Sequence, residues 1–263
     1  MYIICEMRSI NAKNFIMCRQ CPARSSGKPS NIPLGYYYDT LDGTQVLREC
    51  KCHREWREAR ELNFKFKAAN ITPDYTFDDY KGVGSLQDLE ALKSIVKKAD
   101  FFSYKKMIYI WGPNGTQKTS MVQALGKELI KQNYKVQYFL MQDLINTLIP
   151  DFGTDDEEKK RIVKKLQDKD FLIIDEAFDK TKVTLYNSGF QIPFLDSFLR
   201  TYFDTNKGSI IFVSNKKPEE IAQQGFGESL QNFVQRNTRT SLLIFEDKYI
   251  ENANTIDRLG LFS

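Results

Sequence analysis

The apolar run Met107-Ile-Tyr-Ile-Trp111 passes directly into Gly112-Pro113-Asn114-Gly115-Thr116-Gln117-Lys118-Thr119-Ser120, and helix-forming residues then continue to about Gln132. This stretch constrains the fold more than any other. A strand that turns sharply into a helix leaves the first N–H groups of that helix without intrahelical partners. The positive end of the helix dipole lies behind them. Such a turn is an anion site, and glycine, four residues, one more residue and then Lys-Thr is the spacing of a phosphate-binding loop. The backbone of residues 112–120 is therefore predicted to cradle the phosphates of ATP. Lys118 would reach the β- and γ-phosphates and the Thr119 hydroxyl would ligate Mg²⁺. Gln117 stands where the motif has glycine. A side chain there weakens or reshapes a loop that must take unusual dihedrals close to phosphate.

A second strand-like run, Phe171-Leu-Ile-Ile-Asp175-Glu176, ends in two carboxylates 57 residues after Lys118. Asp175 is predicted to hold the Mg²⁺ and its water shell, and Glu176 to polarise the attacking water. Between the two motifs lie a strand at Val136–Leu140 and a helix at Gln142–Leu148. Further on, Ser209–Val213 is a strand ending in Ser214-Asn215, and Asn215 is placed to orient that water. A last strand is expected at Leu242–Phe245, with helices at 85–99, 193–203 and 228–235. Alternating strands and helices predict an α/β fold on a parallel five-stranded sheet. Only 18 residues follow Phe245, so no separate lid domain is expected.

Composition narrows the chemistry. The 263 residues include one histidine, His53, which disfavours histidine triads and excludes multi-histidine metal sites. No apolar run approaches the ~18 residues of a membrane span, and no signal peptide is evident. A soluble, cytoplasmic protein with no membrane partner is the expectation. Net charge is +4, but residues 1–70 carry 12 Lys/Arg against 7 Asp/Glu. That basic front on a neutral body suits an anionic partner weakly; a solvated surface is the plainer reading.

Four of the five cysteines also lie in this front, at Cys18, Cys21, Cys50 and Cys52. The paired spacing, C-x2-C and then C-x-C-H, reads as four thiolate ligands for one Zn²⁺ in a ribbon-like domain. Short strands are expected at Tyr36–Tyr38 and Val46–Leu47 around the turn Asp42-Gly43. His53 is the alternative ligand to Cys50 or Cys52. A charged helix should run from Arg54 to about Lys67, with Trp56, Leu62 and Phe66 on its apolar side. Pro73 breaks the pattern. The predicted organisation is a zinc-binding domain at 1–70, a linker at 71–80 and an ATPase domain at 81–263.

Taken together, the cysteine pairs, the junction Ile71-Thr-Pro-Asp-Tyr-Thr-Phe-Asp-Asp-Tyr80, the phosphate loop, Ile173-Ile-Asp-Glu176, Val213-Ser-Asn215 and the missing lid resemble the DnaC/DnaI/IstB family of AAA+ ATPases. The resemblance covers roughly residues 15–250. It implies a AAA+ P-loop fold and ATP hydrolysis. It also implies the loading of a DnaB-type hexameric replicative helicase onto single-stranded DNA by a bacterial or phage protein. The implied assembly is a homo-oligomer formed on ATP or DNA, with the front domain gripping the helicase. By the same resemblance Asn215 is the sensor residue, and an arginine finger should lie in the helix before the last strand, with Arg236 the nearest match and Arg239 the reserve. Many members carry an arginine directly after a Gly-Glu pair in this region; here Ser229 follows Gly227-Glu228. IstB-like members assist transposition instead, which is the alternative within the family. A zinc-ribbon nucleic-acid-binding protein with an inactive loop, and a nucleotide kinase, are the alternatives outside it.

Overall fold

The computed structural model describes residues 34–82, 86–99, 106–149, 156–185, 189–205 and 208–245. The chain divides into two compact units, Met1–Lys65 and Phe66–Ser263.

In the first unit, β1 (Tyr36–Leu41) and β2 (Thr44–Glu49) pair antiparallel, with Leu41 opposite Thr44. The two residues between them, Asp42 and Gly43, both have positive φ, 48° and 80°. That is the mirror-image turn whose twist matches a tight hairpin, and Asp-Gly is a favoured pair for it. The strands extend beyond the three- and two-residue runs read from sequence, because Asp39, Thr40 and Arg48 complete the ladder. Helix α1 (Lys51–Ala68) starts three residues before Arg54. The Cys50 carbonyl accepts the amides of both His53 and Arg54, so the first turn is built on the cysteine pair. Trp56, Ala59, Leu62, Asn63 and Phe66 form its covered stripe, at helical spacing.

The second unit holds α2 (Leu86–Lys97), β3 (Met107–Trp111), α3 (Lys118–Lys131), β4 (Val136–Leu140), α4 (Met141–Leu148), α5 (Asp156–Gln167), β5 (Phe171–Asp175), α6 (Gln191–Thr205), β6 (Ser209–Ser214), α7 (Glu228–Thr238) and β7 (Leu242–Ile244). The strand order is β4-β5-β6-β3-β7, with every pair parallel. All residues of β5 and β6 are buried, as are the first four of β3. Burial on both faces explains why these strands read as unbroken apolar runs and not as alternation. Tyr109, Phe178, Phe212 and Phe226 form the aromatic centre of the core, with Phe178 and Phe226 edge to face at 5.4 Å.

From β3 the chain crosses to the edge at β4, returns through β5 and β6, and then places β7 on the other side of β3. Ligand crevices in open α/β sheets lie at the carboxyl ends of strands where the order reverses. β3, β5 and β6 all end there.

Residues 71–80, expected as a junction, pack on this larger unit as a strap. Ile71 is buried. The Tyr138 amide donates to the Ala69 carbonyl at 2.9 Å, and the Thr72 amide donates to Gln123 Oε1 at 2.8 Å. Among the described residues no helix is long and apolar enough to cross a membrane. Cys18 and Cys21 lie outside the described residues, as does the segment after Phe245 on which the expected lack of a lid rests.

A candidate nucleotide site

The loop after β3 takes its shape from two glycines and one exception. A Cβ on Gly112 would overlap the Phe245 backbone carbonyl, so only glycine lets β7 close against β3 here. Gly115 has φ 82° with open space around it, which makes it a purely conformational glycine. Gln117 also adopts the left-handed region, at φ 61° and ψ 17°, as the cap of α3. Its side chain bonds to the backbone of residues 79 and 81.

Lys118 is 7% exposed. Its Nζ donates to the Gly112 carbonyl at 2.7 Å, the Pro113 carbonyl at 2.6 Å and the Thr116 hydroxyl at 3.2 Å. Burial pushes its pKa down to about 8, against an opposing pull from Asp175. The ammonium is held by the loop's own oxygens, in the concavity where phosphate oxygens could replace them.

Asp175 ends β5 and is 3% exposed. Its Oδ2 accepts the Thr119 hydroxyl at 2.7 Å and the Tyr138 hydroxyl at 2.9 Å; its Oδ1 accepts the Glu176 amide at 2.7 Å. Burial, and then the neighbouring Asp175 carboxylate, raise the Tyr138 pKa, so the phenol stays a proton donor. Glu176 follows with φ 51°, and its carboxylate lies 3.3 Å from Lys182 Nζ. The Ala177 amide donates to the Val213 carbonyl, and the Ser214 hydroxyl to the Ala177 carbonyl, which ties the ends of β5 and β6 together.

Residues 114–119 with Asp175, Glu176, Ser214 and Asn215 line one cavity of about 220 Å³. The structure thus brings the loop, the paired carboxylates and the asparagine to one place. Of the loop residues expected to cradle phosphate, Gly112, Pro113 and Ser120 are not among the lining residues, Ser120 sitting in the first turn of α3. Arg236 and Arg239 are elsewhere, in a second cleft of about 510 Å³ with Asn232, Gln235 and Glu219. At Ser229 the space beside α7 receives Arg200 from α6, which donates to the Ser229 carbonyl at 2.9 Å and to its hydroxyl at 3.1 Å.

The donor set fits a magnesium–nucleotide complex: a hydroxyl and a carboxylate already converge at 2.7 Å, a hard-oxygen pair suited to Mg²⁺. In the smaller unit the Cys50 and Cys52 sulfurs lie 3.2 Å apart, and the His53 amide points at Cys50 Sγ at 3.4 Å. Two adjacent sulfurs at a helix start suit half of a four-thiolate site. His53 Nδ1 lies 2.6 Å from Glu49 Oε1. Among the described residues no group of three metal-ligating side chains occurs.

Tyr138 and Lys182 were not anticipated. Each touches a carboxylate of the pair, and each does so through strand register or loop path. A tyrosine in Val-Gln-Tyr-Phe-Leu gives no hint of the neighbouring strand's register.

The sequence profile of IstB-like ATP binding proteins matches residues 38–227. The chromosomal replication initiator protein DnaA of Campylobacter jejuni is 22% identical over 233 residues, 86% of this chain and 50% of that protein. The chain therefore spans about half the length of the curated relatives it matches first. Among solved structures, replication initiator DnaA bound to AMPPCP and single-stranded DNA superposes with a TM-score of 0.56 at 19% identity, over 72% of this chain and 56% of that one. The DnaC helicase loader superposes with a TM-score of 0.53 at 20% identity, over 65% of this chain and 97% of that one. At these identities the superpositions establish the fold, an α/β AAA+ sheet.

Proposed function

The chain belongs to the family of IstB-like ATP binding proteins, and from that premise we propose that it is an ATP-hydrolysing loader of a replicative, DnaB-type helicase onto single-stranded DNA. The observation that carries the ATPase reading is the convergence of Lys118, Thr119, Asp175, Glu176 and Asn215 on one cavity. Support for the loader role is narrower. The superposition covers 97% of the solved DnaC helicase loader chain and 56% of the solved DnaA chain. Assistance to transposition is the second reading, favoured by the IstB-like profile itself.

In the proposed site Lys118 exchanges its carbonyl partners for β- and γ-phosphate oxygens. Thr119 and Asp175 would hold Mg²⁺, which when bound neutralises charge on those phosphates. Tyr138 and the Glu176 amide keep the Asp175 carboxylate aimed at Thr119. Glu176 orients and deprotonates the attacking water, and Asn215 fixes that water's position. Lys182 must release Glu176 for this to happen. Charge on the γ-phosphate calls for a cation opposite Lys118. Arg236 or Arg239, in its own cleft, would supply it to a neighbouring protomer of a homo-oligomer formed on ATP or DNA.

In the smaller unit Cys18, Cys21, Cys50 and Cys52 would hold one Zn²⁺ and shape residues 1–70 as the helicase-binding part, with 71–80 strapped to the ATPase part. Metal analysis that finds no zinc in the purified chain would remove this element. A cytoplasmic site in a bacterial or phage-infected cell follows from the loader role. Affinity purification from such a cell, with Mg·ATP present, should recover a hexameric helicase. Recovery of a transposase without a helicase would select the second reading.

A further inference from the structure

Gln117 occupies the one loop position where the motif's glycine is missing, and it takes a left-handed conformation that glycine enters freely and other residues enter at a cost. Its side chain makes two bonds to one short stretch of the strap. Nε2 donates to the Asp79 carbonyl at 2.9 Å, and Oε1 accepts the Lys81 amide at 2.8 Å. A side-chain amide offers a donor and an acceptor side by side, which a carboxylate or an ammonium does not. The strap is anchored at further points, with Thr72 on Gln123 Oε1 and the Pro73 carbonyl on Lys127 Nζ at 2.9 Å. Gln123 and Lys127 both belong to α3, the helix that the phosphate loop begins. At the far end of the strap the Tyr80 ring meets Phe245 edge-on at 5.8 Å, and the Phe245 carbonyl is the group that forbids a side chain at Gly112. Strap, loop and the residue after β7 therefore meet at the phosphate loop, through Gly112 at its start and Gln117 near its end.

We propose that Gln117 is a positioning residue that fixes residues 79–81, at the end of the strap, against the phosphate loop, so that its amide couples the strap to the loop that holds nucleotide. This rests on, and deepens, the reading of the loop as a nucleotide site. A triphosphate seated on the loop's N–H groups fixes the loop's conformation, and through Gln117 it fixes the strap's. Glycine at 117 restores the motif but cuts this link, so it should weaken nucleotide binding.

The Lys81 amide is itself the clasped group, so hydrogen exchange at Lys81 in the intact chain reads the clasp directly, without nucleotide. Gln117→Gly and Gln117→Ala should each exchange Lys81 about tenfold faster than wild type and bind Mg·ATP about three- to tenfold more weakly. Two such variants keep the test open if one fails to fold. Gln117→Glu adds a readout that a merely structural role would not move. Its carboxylate still accepts the Lys81 amide but has no donor for the Asp79 carbonyl, so Lys81 exchange should fall between that of wild type and that of Gln117→Gly. Unchanged Lys81 exchange, unchanged Mg·ATP affinity despite fast exchange, or Lys81 exchange in Gln117→Glu as fast as in Gln117→Gly would each overturn the proposal. Failure of wild type to bind Mg·ATP would instead overturn the nucleotide reading, and with it this role; the nucleotide-free exchange data tell the two failures apart.

Discussion

Lys118 shows how a binding residue works against the stability of the empty protein. Its pKa of about 8 lies below the ordinary 10.5, because burial disfavours the charged form. Between those two values the unfolded chain binds more protons than the folded one, so stability rises with pH across that window. Below pH 8 the whole cost is present. Lys118→Met, which keeps the apolar stem, should make the nucleotide-free protein more stable at pH 7 by roughly 1–2 kcal/mol. The gain should fade as pH is raised toward 10.5. Urea unfolding at pH 7 and pH 10 measures it, and a gain that does not change with pH would refute the burial account. At Gln117 two opposing effects nearly cancel: a left-handed side chain costs about 1–2 kcal/mol, and its two hydrogen bonds return about 0.5–1.5 kcal/mol each. Substitution by glycine should thus leave global stability almost unchanged, so a change in nucleotide affinity there would report position and not folding.

At the level of elements, the phosphate loop depends on its neighbours more than on itself. Gly112 faces the Phe245 carbonyl, and the Phe245 amide donates to the Trp111 carbonyl at 2.8 Å, so loop and β7 share one tight contact. Gly112→Ala should push β7 off β3, lowering stability by about 1–3 kcal/mol and weakening nucleotide binding along with it. Denaturant melts and nucleotide titration of the same sample would show both losses. Retained affinity in a destabilised variant would mean that the loop tolerates β7's displacement. Here the limits of the sequence are visible. The strands β3, β5 and β6 are readable because both their faces are buried, so apolar runs of five or six residues stand out. The phosphate loop and the carboxylate pair were readable because their chemistry demands fixed spacing. The strap was not: Ile71-Thr-Pro-Asp looks like a break in the pattern, and only the tertiary contacts to Gln123, Lys127 and Tyr138 make it part of the body. Tyr138 and Lys182 stayed hidden for the same reason, since each meets its carboxylate partner across register or loop path.

For the whole molecule, the distribution of charge in the site decides what hydrolysis requires. The cavity holds one cation, Lys118, among its lining residues, and Arg236 lies in a different cleft. A shared site between protomers follows from the proposed function. Mixing a Glu176→Gln chain with an Arg236→Ala chain should recover ATPase activity that neither has alone, because one combined interface is then intact. An arginine supplied in this way can be worth about 10³–10⁵ in rate. No recovery, together with full activity of a dilute monomer, would put the missing charge within a single chain. The shared site requires that the loop, with Gln117 in the glycine position, holds nucleotide. Calorimetric titration of the purified chain with Mg·ATP, beside Lys118→Ala, tests that most directly. The account predicts saturable one-to-one binding by the wild type and a loss of about tenfold or more in the variant, as expected for a charge-assisted contact worth about 1.5–3 kcal/mol. Equal affinity in the two proteins, or no binding by either, would contradict it.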